Sequence, residues 1–382
     1  MIKKIIFITW TRADYWKIKS LINILIKDKN FEVYIFATWM HMHKKYWKTI
    51  NEIYKNWYKN IFPFFNNYTE NSDMGIVLAN TIIWLSSYVH DITPDLIIVH
   101  GDRWEALAWA IVWSFNNILV WHIEWWEESW TIDESIRHSV SKLSHIHFVS
   151  NDEARKNLIQ MWEDYNNIFI IWSPDLDIMD KAINYDINFI KNKYGIFFEN
   201  YSIAIFHPVT TEYDNFHIYS KNFVDALLES WEKFIVIYPN SDKWSEYIFL
   251  EYKRLENSKN MLLFPSIRFE YFLALLYNSN YIIWNSSSWI KEAPYYWIKS
   301  IDIWTRQSNR YDKNHTTIIH SWYEKKDILN SILKIKNKYG RSIINNNFWY
   351  WNSDKLFFEI LKNKDIFNIS YQKKFFKNNN NN

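Results

Sequence analysis

Two short apolar runs, Leu96–Val99 and Ile118–Ile123, each end in a burst of charge, and each is followed by an amphipathic helical pattern, Glu105–Phe115 and Asp133–Leu143. Runs this short and this apolar read as strands buried on both faces, so the sheet they belong to is parallel and the chain is α/β. In open α/β sheets the carboxyl ends of the strands line the ligand crevice. Asp102 in His100-Gly-Asp-Arg103, Glu124 in His122-Ile-Glu124 and Asp133 at the next helix start are therefore expected at one rim, with Arg103, Arg137 and His138 close by. Three acids beside cations suit proton transfer near neutral pH, because burial and like-charge crowding push carboxylate pKa values apart. The competing reading is helix caps and surface charge. It suits a lone Asp better than an acid repeated on consecutive strands.

The rest of the chain repeats the alternation. Lys4–Thr9 and Phe31–Ala37 read as strands, Tyr15–Lys27 as a helix, and Trp10-Thr-Arg-Ala-Asp14 as the strand-to-helix turn between them, where backbone and Arg12 would meet a phosphate or sugar. Helices are expected at 72–89, 105–115, 133–143 and 152–161, with strands at 95–100, 118–123, 145–149 and 168–171. His41 and His43 are two apart with no obvious third ligand, so no metal site is assigned. His145 and His147 share a strand face and read as packed or capping. Trp172-Ser-Pro-Asp175 carries the punctuation of a connector. Beyond it, strands at 202–206, 234–238, 261–264 and 281–283 alternate with helices at 187–194, 217–230, 243–256 and 268–277. The domain reading is 1–172 and 173–350 as two Rossmann-like domains facing a central crevice, 351–366 as a closing helix, and 367–382 as a structureless tail, Lys/Asn-rich from Lys373.

In the second domain, Tyr281-Ile-Ile-Trp-Asn-Ser-Ser-Ser288 reads as strand, hydroxyl-rich turn and helix start. Backbone N–H groups, hydroxyls and the helix dipole make such a turn an anion site. Ser286 and Ser287 are the expected phosphate contacts, Asn285 lies beside them, and Glu292 is placed to take ribose hydroxyls. Simple capping by Asn285 and Ser286 is the competing reading. Thr305-Arg-Gln-Ser-Asn-Arg310 would bring Arg306 and Arg310 near the crevice.

Composition narrows the class. A net charge of +2 implies no broad attraction to nucleic acid or anionic membrane. No apolar run is long enough to span a bilayer, and because Met1-Ile-Lys-Lys runs straight into a strand no secretory leader is expected. Zero Cys removes disulfides, thiolate metal sites and a Cys nucleophile, and fits a cytoplasmic chain. One feature is abnormal: 24 Trp stand against only 4 Gly, and the 28 together make up about 7% of the chain, the usual share of Gly alone. Trp57 follows Asn56 in a turn context, and Trp162 falls where a helix C′ glycine belongs. Trp10 and Trp284 stand in loops after strands. The expectation is that most of these tryptophans are glycines, encoded by a reassigned UGA stop codon that another code reads as Trp.

With Trp read as Gly, the chain carries the motifs GTRADY (10–15), HGDR (100–103), HIEGGE (122–127), GTIDESIRH (130–138), GSPD (172–175), HPVT (207–210) and GNSS (284–287). In these it resembles the UDP-N-acetylglucosamine 2-epimerases, specifically the hydrolysing branch that feeds sialic-acid-like sugar synthesis. The motifs keep consistent order and spacing over roughly 1–365. The resemblance implies the two-Rossmann-domain fold of GT-B glycosyltransferases with the nucleotide held mainly by the second domain. It also implies elimination of UDP across C1–C2, then addition of water at C1 and of a proton at C2 on the other face. Asp102, Glu124 and Asp133 match the family's acid/base carboxylates, and His207 its histidine near the diphosphate. Arg12, Asp14, Arg103, Glu127, Arg137, His138, Asn285, Ser286, Ser287, Glu292 and Arg306 fall among the expected substrate contacts. No cofactor or metal is implied. The expected partners are a UDP-sugar and further copies of the chain, as a dimer or tetramer, with neither nucleic acid nor membrane. Taken literally, Trp10, Trp125, Trp126 and Trp284 would fill the crevice. The remaining alternatives are a non-hydrolysing epimerase, a GT-B glycosyltransferase and a non-catalytic sugar-nucleotide binder.

Overall fold

Strands that are apolar on both faces can hide their surface only between two helical layers, and the chain does this twice. The structure, a computed structural model, describes residues 2–42, 49–64, 74–124, 132–208, 215–239, 244–285, 288–303, 318–337 and 352–374. In order come β1 (Lys3–Thr9), α1 (Arg12–Leu25), β2 (Phe31–Ala37), α2 (Ile50–Tyr54), β3 (Asn60–Pro63), α3 (Met74–Ile92), β4 (Leu96–His100), α4 (Trp104–Phe115), β5 (Leu119–Glu124), α5 (Ile132–Leu143), β6 (Ile146–Val149), α6 (Asp152–Gln160) and β7 (Ile168–Ile170). Then follow α7 (Leu176–Ala182), α8 (Ile187–Tyr194), β8 (Ser202–Ile205), α9 (Phe216–Glu229), β9 (Phe234–Ile237), α10 (Ser245–Tyr252), β10 (Met261–Phe264), α11 (Phe269–Tyr277), β11 (Tyr281–Trp284), α12 (Ser288–Tyr295), β12 (Lys299–Ile303), β13 (Ile318–Ser321), α13 (Lys325–Asn337) and α14 (Ser353–Lys362).

Two compact units result, Met1–Ile178 with Asn346–Asn382, and Met179–Asn345; the division falls inside α7. The first unit holds a seven-stranded sheet in the order β3-β2-β1-β4-β5-β6-β7, the second a six-stranded sheet in the order β10-β9-β8-β11-β12-β13. Every strand pair is parallel. The expected fold class, two parallel-sheet α/β domains, is what the chain adopts. All residues of β4 and β5 are buried, which is why their sequences carry no alternation.

Each sheet reverses its strand order at one place. In the first it is between β1 and β4, in the second between β8 and β11. Such a switch point leaves a gap outside the strand carboxyl ends, where α/β folds bind ligands.

Capping explains the local starts and stops. Thr11 and Asp14 form a reciprocal capping box at the head of α1. Asn151 caps α6 and Asp186 caps α8, which ends on Gly195 at φ +66°. α14 returns to the first unit, where Phe357 meets Phe7 and Phe148 at ring distances of 6.5 and 5.2 Å.

Two expectations need correction. The tail expected to be structureless from 367 is anchored at Phe367 and Lys373. Phe367 lies 5.9 Å from the Trp121 ring, and the Lys373 ammonium donates to Ser144 O at 2.7 Å and to Glu163 Oε2 at 2.5 Å. Glu163 is a buried acid that Lys142 also reaches, at 2.9 Å to Oε1, and Lys373 adds a second cation at its other oxygen. The strands β3 and β13 and the helices α2, α7 and α13 had no counterpart in the sequence reading. No described helix is long and apolar enough to cross a membrane.

Candidate active site

β4 delivers a tight turn, Gly101-Asp102-Arg103, and β5 ends on Glu124 beside it. Gly101 has φ +81°, a backbone state that suits glycine, and its N–H donates to Ile123 O at 3.0 Å. The turn is held from below by His122. Its Nε2 faces Gly101 O at 2.8 Å and its Nδ1 faces Ser141 Oγ at 2.9 Å. A carbonyl can only accept, so Nε2 carries the proton and Nδ1 accepts from the serine hydroxyl. Burial holds the His122 pKa down to about 3, so the ring stays neutral and keeps this tautomer.

Arg137 on α5 gathers the acids. It is 2% exposed, with Nη2 at 2.5 Å from Asp102 Oδ2, Nη1 at 3.3 Å from Glu134 Oε2, and Nε at 4.0 Å from Glu124 Oε1. Burial alone would lower the guanidinium pKa, but Asp102 and Glu124 outweigh it and hold the pKa above its ordinary value. Arg137, expected among the substrate contacts, thus turns its guanidinium onto protein carboxylates. The third acid it holds is Glu134, which the sequence reading missed although Glu134 sits one helical turn before Arg137 and contacts His138 Nε2 at 3.1 Å. Asp133 sits half-buried in the first turn of the same helix. Arg103, half-buried at the start of α4, lies 3.7 Å from the fully buried Glu105.

Across the switch point stands the β1–α1 turn. Asp14 accepts from Trp10 N at 3.1 Å, from the Thr11 backbone N–H and from Thr11 Oγ1 at 2.6 Å. Burial pushes its pKa up to about 6 despite these donors. Arg12 is the first residue of α1. Trp10 is buried, and its Cζ2 would lie 3.7 Å from a Cβ placed on Gly101, with Glu124 Oε2 at 3.8 Å from the same point. The indole therefore occupies the floor between the two loops and Glu124. His41 bonds Thr9 and Thr49 hydroxyls at 2.9 and 2.8 Å, a packing role; His43 lies outside the described residues.

His145 and His147 are packed, as expected. Val120 N donates to His145 Nδ1 at 3.0 Å, and His147 Nε2 meets Glu163 at 3.0 Å.

The second switch point is pinned by Asn285. Its Oδ1 accepts from His207 N and its Nδ2 donates to His207 O, both at 2.8 Å, so the loops after β8 and β11 are locked together. The His207 ring, half-buried, lies 6.2 Å from the Trp284 ring. Glu292 is buried on α12. Trp125, Trp126, Glu127, Ser286, Ser287, Arg306 and Arg310 lie outside the described residues.

Comparison with known proteins follows this geometry. The family model described as UDP-N-acetylglucosamine 2-epimerase matches residues 23–362. A UDP-N-acetylglucosamine 2-epimerase of Neisseria meningitidis serogroup B is 42% identical over 98% of this chain and 98% of that protein. A UDP-N,N'-diacetylbacillosamine 2-epimerase (hydrolyzing) of Legionella pneumophila is 29% identical over 88% of this chain and 90% of its own. Among solved structures, a UDP-GlcNAc 2-epimerase from Neisseria meningitidis bound to UDP-GlcNAc superposes with a TM-score of 0.76 at 19% identity, over 94% of this chain and 99% of that one.

Proposed function

The chain belongs to the UDP-N-acetylglucosamine 2-epimerase family, and we propose that it is a hydrolysing member, converting a UDP-2-acetamido sugar to UDP and the free 2-epimer. The observation that carries the proton chemistry is the grouping of Asp102 and Glu124 on one buried guanidinium at a strand switch point. A carboxylate takes the C2 proton as the C1–O bond breaks and UDP leaves with the bonding pair, giving a 2-acetamidoglucal. Water then adds at C1 while an acid returns a proton to C2 on the opposite face. The C2 proton is weakly acidic, so the base has to be oriented and shielded from water, which the buried Glu124 is. Asp102 and Asp133 are the further acid/base candidates, and His207 is proposed as the donor to the leaving diphosphate.

The hydrolytic outcome is supported by the Legionella relative, whose name carries that word over nearly the same span. The Neisseria relative's name does not, which keeps a non-hydrolysing epimerase as the second reading. The sugar is N-acetylglucosamine or its diacetamido-trideoxy counterpart.

The test supplies UDP-2-acetamido sugars without acceptor in heavy water. Free UDP and a free 2-epimer carrying deuterium at C2 support the proposal. A deuterated UDP-sugar epimer with no free sugar moves the assignment to the second reading. UDP release with C2 hydrogen and configuration retained overturns elimination altogether.

A further inference from the structure

Nine described residues other than glycine have positive φ, and six of them are tryptophan: Trp57, Trp162, Trp172, Trp231, Trp244 and Trp297, at φ between 56° and 77°. The left-handed region crowds any Cβ against the following carbonyl, and only glycine, with Asn and Asp after it, enters it routinely. A bulky aromatic is among the least suited residues there. Chance does not gather six of nine such positions on one residue type.

The chain supplies its own control. At the end of α8, Gly195 N–H donates to Asn192 O at 3.3 Å and Ile196 N–H to Lys191 O at 2.8 Å, the paired bonds of a Schellman motif with Gly195 at its left-handed position. Trp162 repeats this after α6: its N–H donates to Ile159 O at 3.0 Å and that of Glu163 to Leu158 O at 3.1 Å. Trp297 repeats it after α12, with bonds to Pro294 O at 3.0 Å and from Ile298 N to Ala293 O at 2.9 Å. The same paired bonds end α4 at Asn117, whose N–H donates to Ser114 O at 3.3 Å with that of Ile118 to Trp113 O at 3.1 Å, so the four terminators carry glycine, asparagine and, twice, tryptophan. Trp57 and Trp231 do not recover the strain by burial, being 91% and 82% exposed.

A second observation is independent of φ. Trp109, Trp113, Trp121 and Trp284 are buried with indole N–H groups that meet no acceptor among the described residues. Buried tryptophans ordinarily find one, because an unmade bond there is costly.

We propose that the residue at positions 57, 162, 172, 231, 244 and 297 is glycine in the protein as cells make it, its codon being one that another code reads as tryptophan. Trp10 and Trp284, at the two switch points, belong to the same set. With glycine at 10, the space beside Gly101 and Glu124 that the indole fills opens to a ligand. This identity of the residues does not rest on the proposed activity.

Peptide mass spectrometry of the protein purified from the cells that produce it decides the matter. Glycine at all six positions is expected, and tryptophan at any of the six overturns the proposal. A recombinant series gives a second reading through stability. Trp162→Gly, Trp231→Gly and Trp297→Gly should each raise the apparent Tm by on the order of 2–4 °C. The matching alanine variants keep the Cβ and should gain clearly less. Alanine variants equal to the glycine ones would show that size rather than backbone geometry was relieved, and would overturn the structural argument.

Discussion

Arg137 Nη2 lies 2.5 Å from Asp102 Oδ2, joining helix α5 to the loop that leaves β4. One buried guanidinium therefore fixes the rotamer of an acid whose own loop is short, and the same side chain reaches Glu134 and Glu124. Its fork of donors is what lets one residue serve acids from three elements; a lysine presents only a point charge.

Arg137→Leu should leave three acids without their common cation. Removing one partner of a buried charge group typically costs about 3–5 kcal/mol. Urea unfolding of the variant should show that loss, and Arg137→Lys should recover part of the stability but less of the turnover. Full turnover in Arg137→Leu would remove Arg137 from any positioning role.

Asp102→Asn, Glu124→Gln and Asp133→Asn should each lower turnover of a UDP-2-acetamido sugar by about 10²–10⁴ while UDP affinity stays near normal. Glu134→Gln is the discriminating partner. Glu134 bonds Arg137 and His138, so its loss should act through position and be milder than that of Asp133. The reverse order would exchange the two acids of α5 in the assignment.

How far the sequence reveals this arrangement depends on what each residue answers to. β4 and β5 were legible because strands buried on both faces must be apolar throughout, and Asp102 and Glu124 were legible because they break that pattern at the strand ends. β3 was not: two of its four residues are exposed, as suits a sheet edge, so no apolar run marks it. α13 has lysines on its open face and a buried Ile328–Ile332–Ile335 stripe, a pattern that was there to be read. The holding role of Arg137 and the strut made by His122 and Ser141 are contacts between elements far apart in sequence, and periodicity carries no information about them. The docking of Lys373 against Glu163 is of the same kind.

Asn285→Ala should separate the loops after β8 and β11, because it removes both bonds to the His207 backbone. Leaving a buried donor and acceptor unmade costs about 1–3 kcal/mol each. If the nucleotide sits at this switch point, UDP affinity should fall together with the stability of the second unit. Stability lost with UDP affinity intact would place the nucleotide elsewhere.

The fully buried His122, with a pKa held down to about 3 from 6.5, makes stability depend on acid. Between those values the unfolded chain binds a proton that the folded chain refuses, so stability is complete above pH 6.5 and falls as the pH drops toward 3. A shift of this size corresponds to up to about 5 kcal/mol. His145 and His147, also lowered by burial, pull the same way. Urea midpoints measured from pH 7 to 4 should therefore decline, and His122→Gln should reduce the slope by about one proton without abolishing it. An unchanged slope would mean that the ring is charged in the folded protein.

Asp14 works in the opposite sense over a narrower window. Burial raises its pKa from 3.8 to about 6, so between those values the folded chain holds a proton that the unfolded chain has released. Stability from this group is present at low pH and is lost as the pH rises through 6, by about 3 kcal/mol at most. Asp14→Asn is neutral at every pH and keeps an acceptor for the Thr11 and Trp10 N–H groups that Asp14 now receives. Above pH 6 it should match or exceed the parent in stability, whereas Asp14→Ala, which leaves the head of α1 without that acceptor, should fall below it. Activity separates the structural role from the proposed substrate contact. A cap alone predicts that Asp14→Asn retains the parent KM, while a carboxylate that meets substrate predicts a raised KM in a chain that is no less stable.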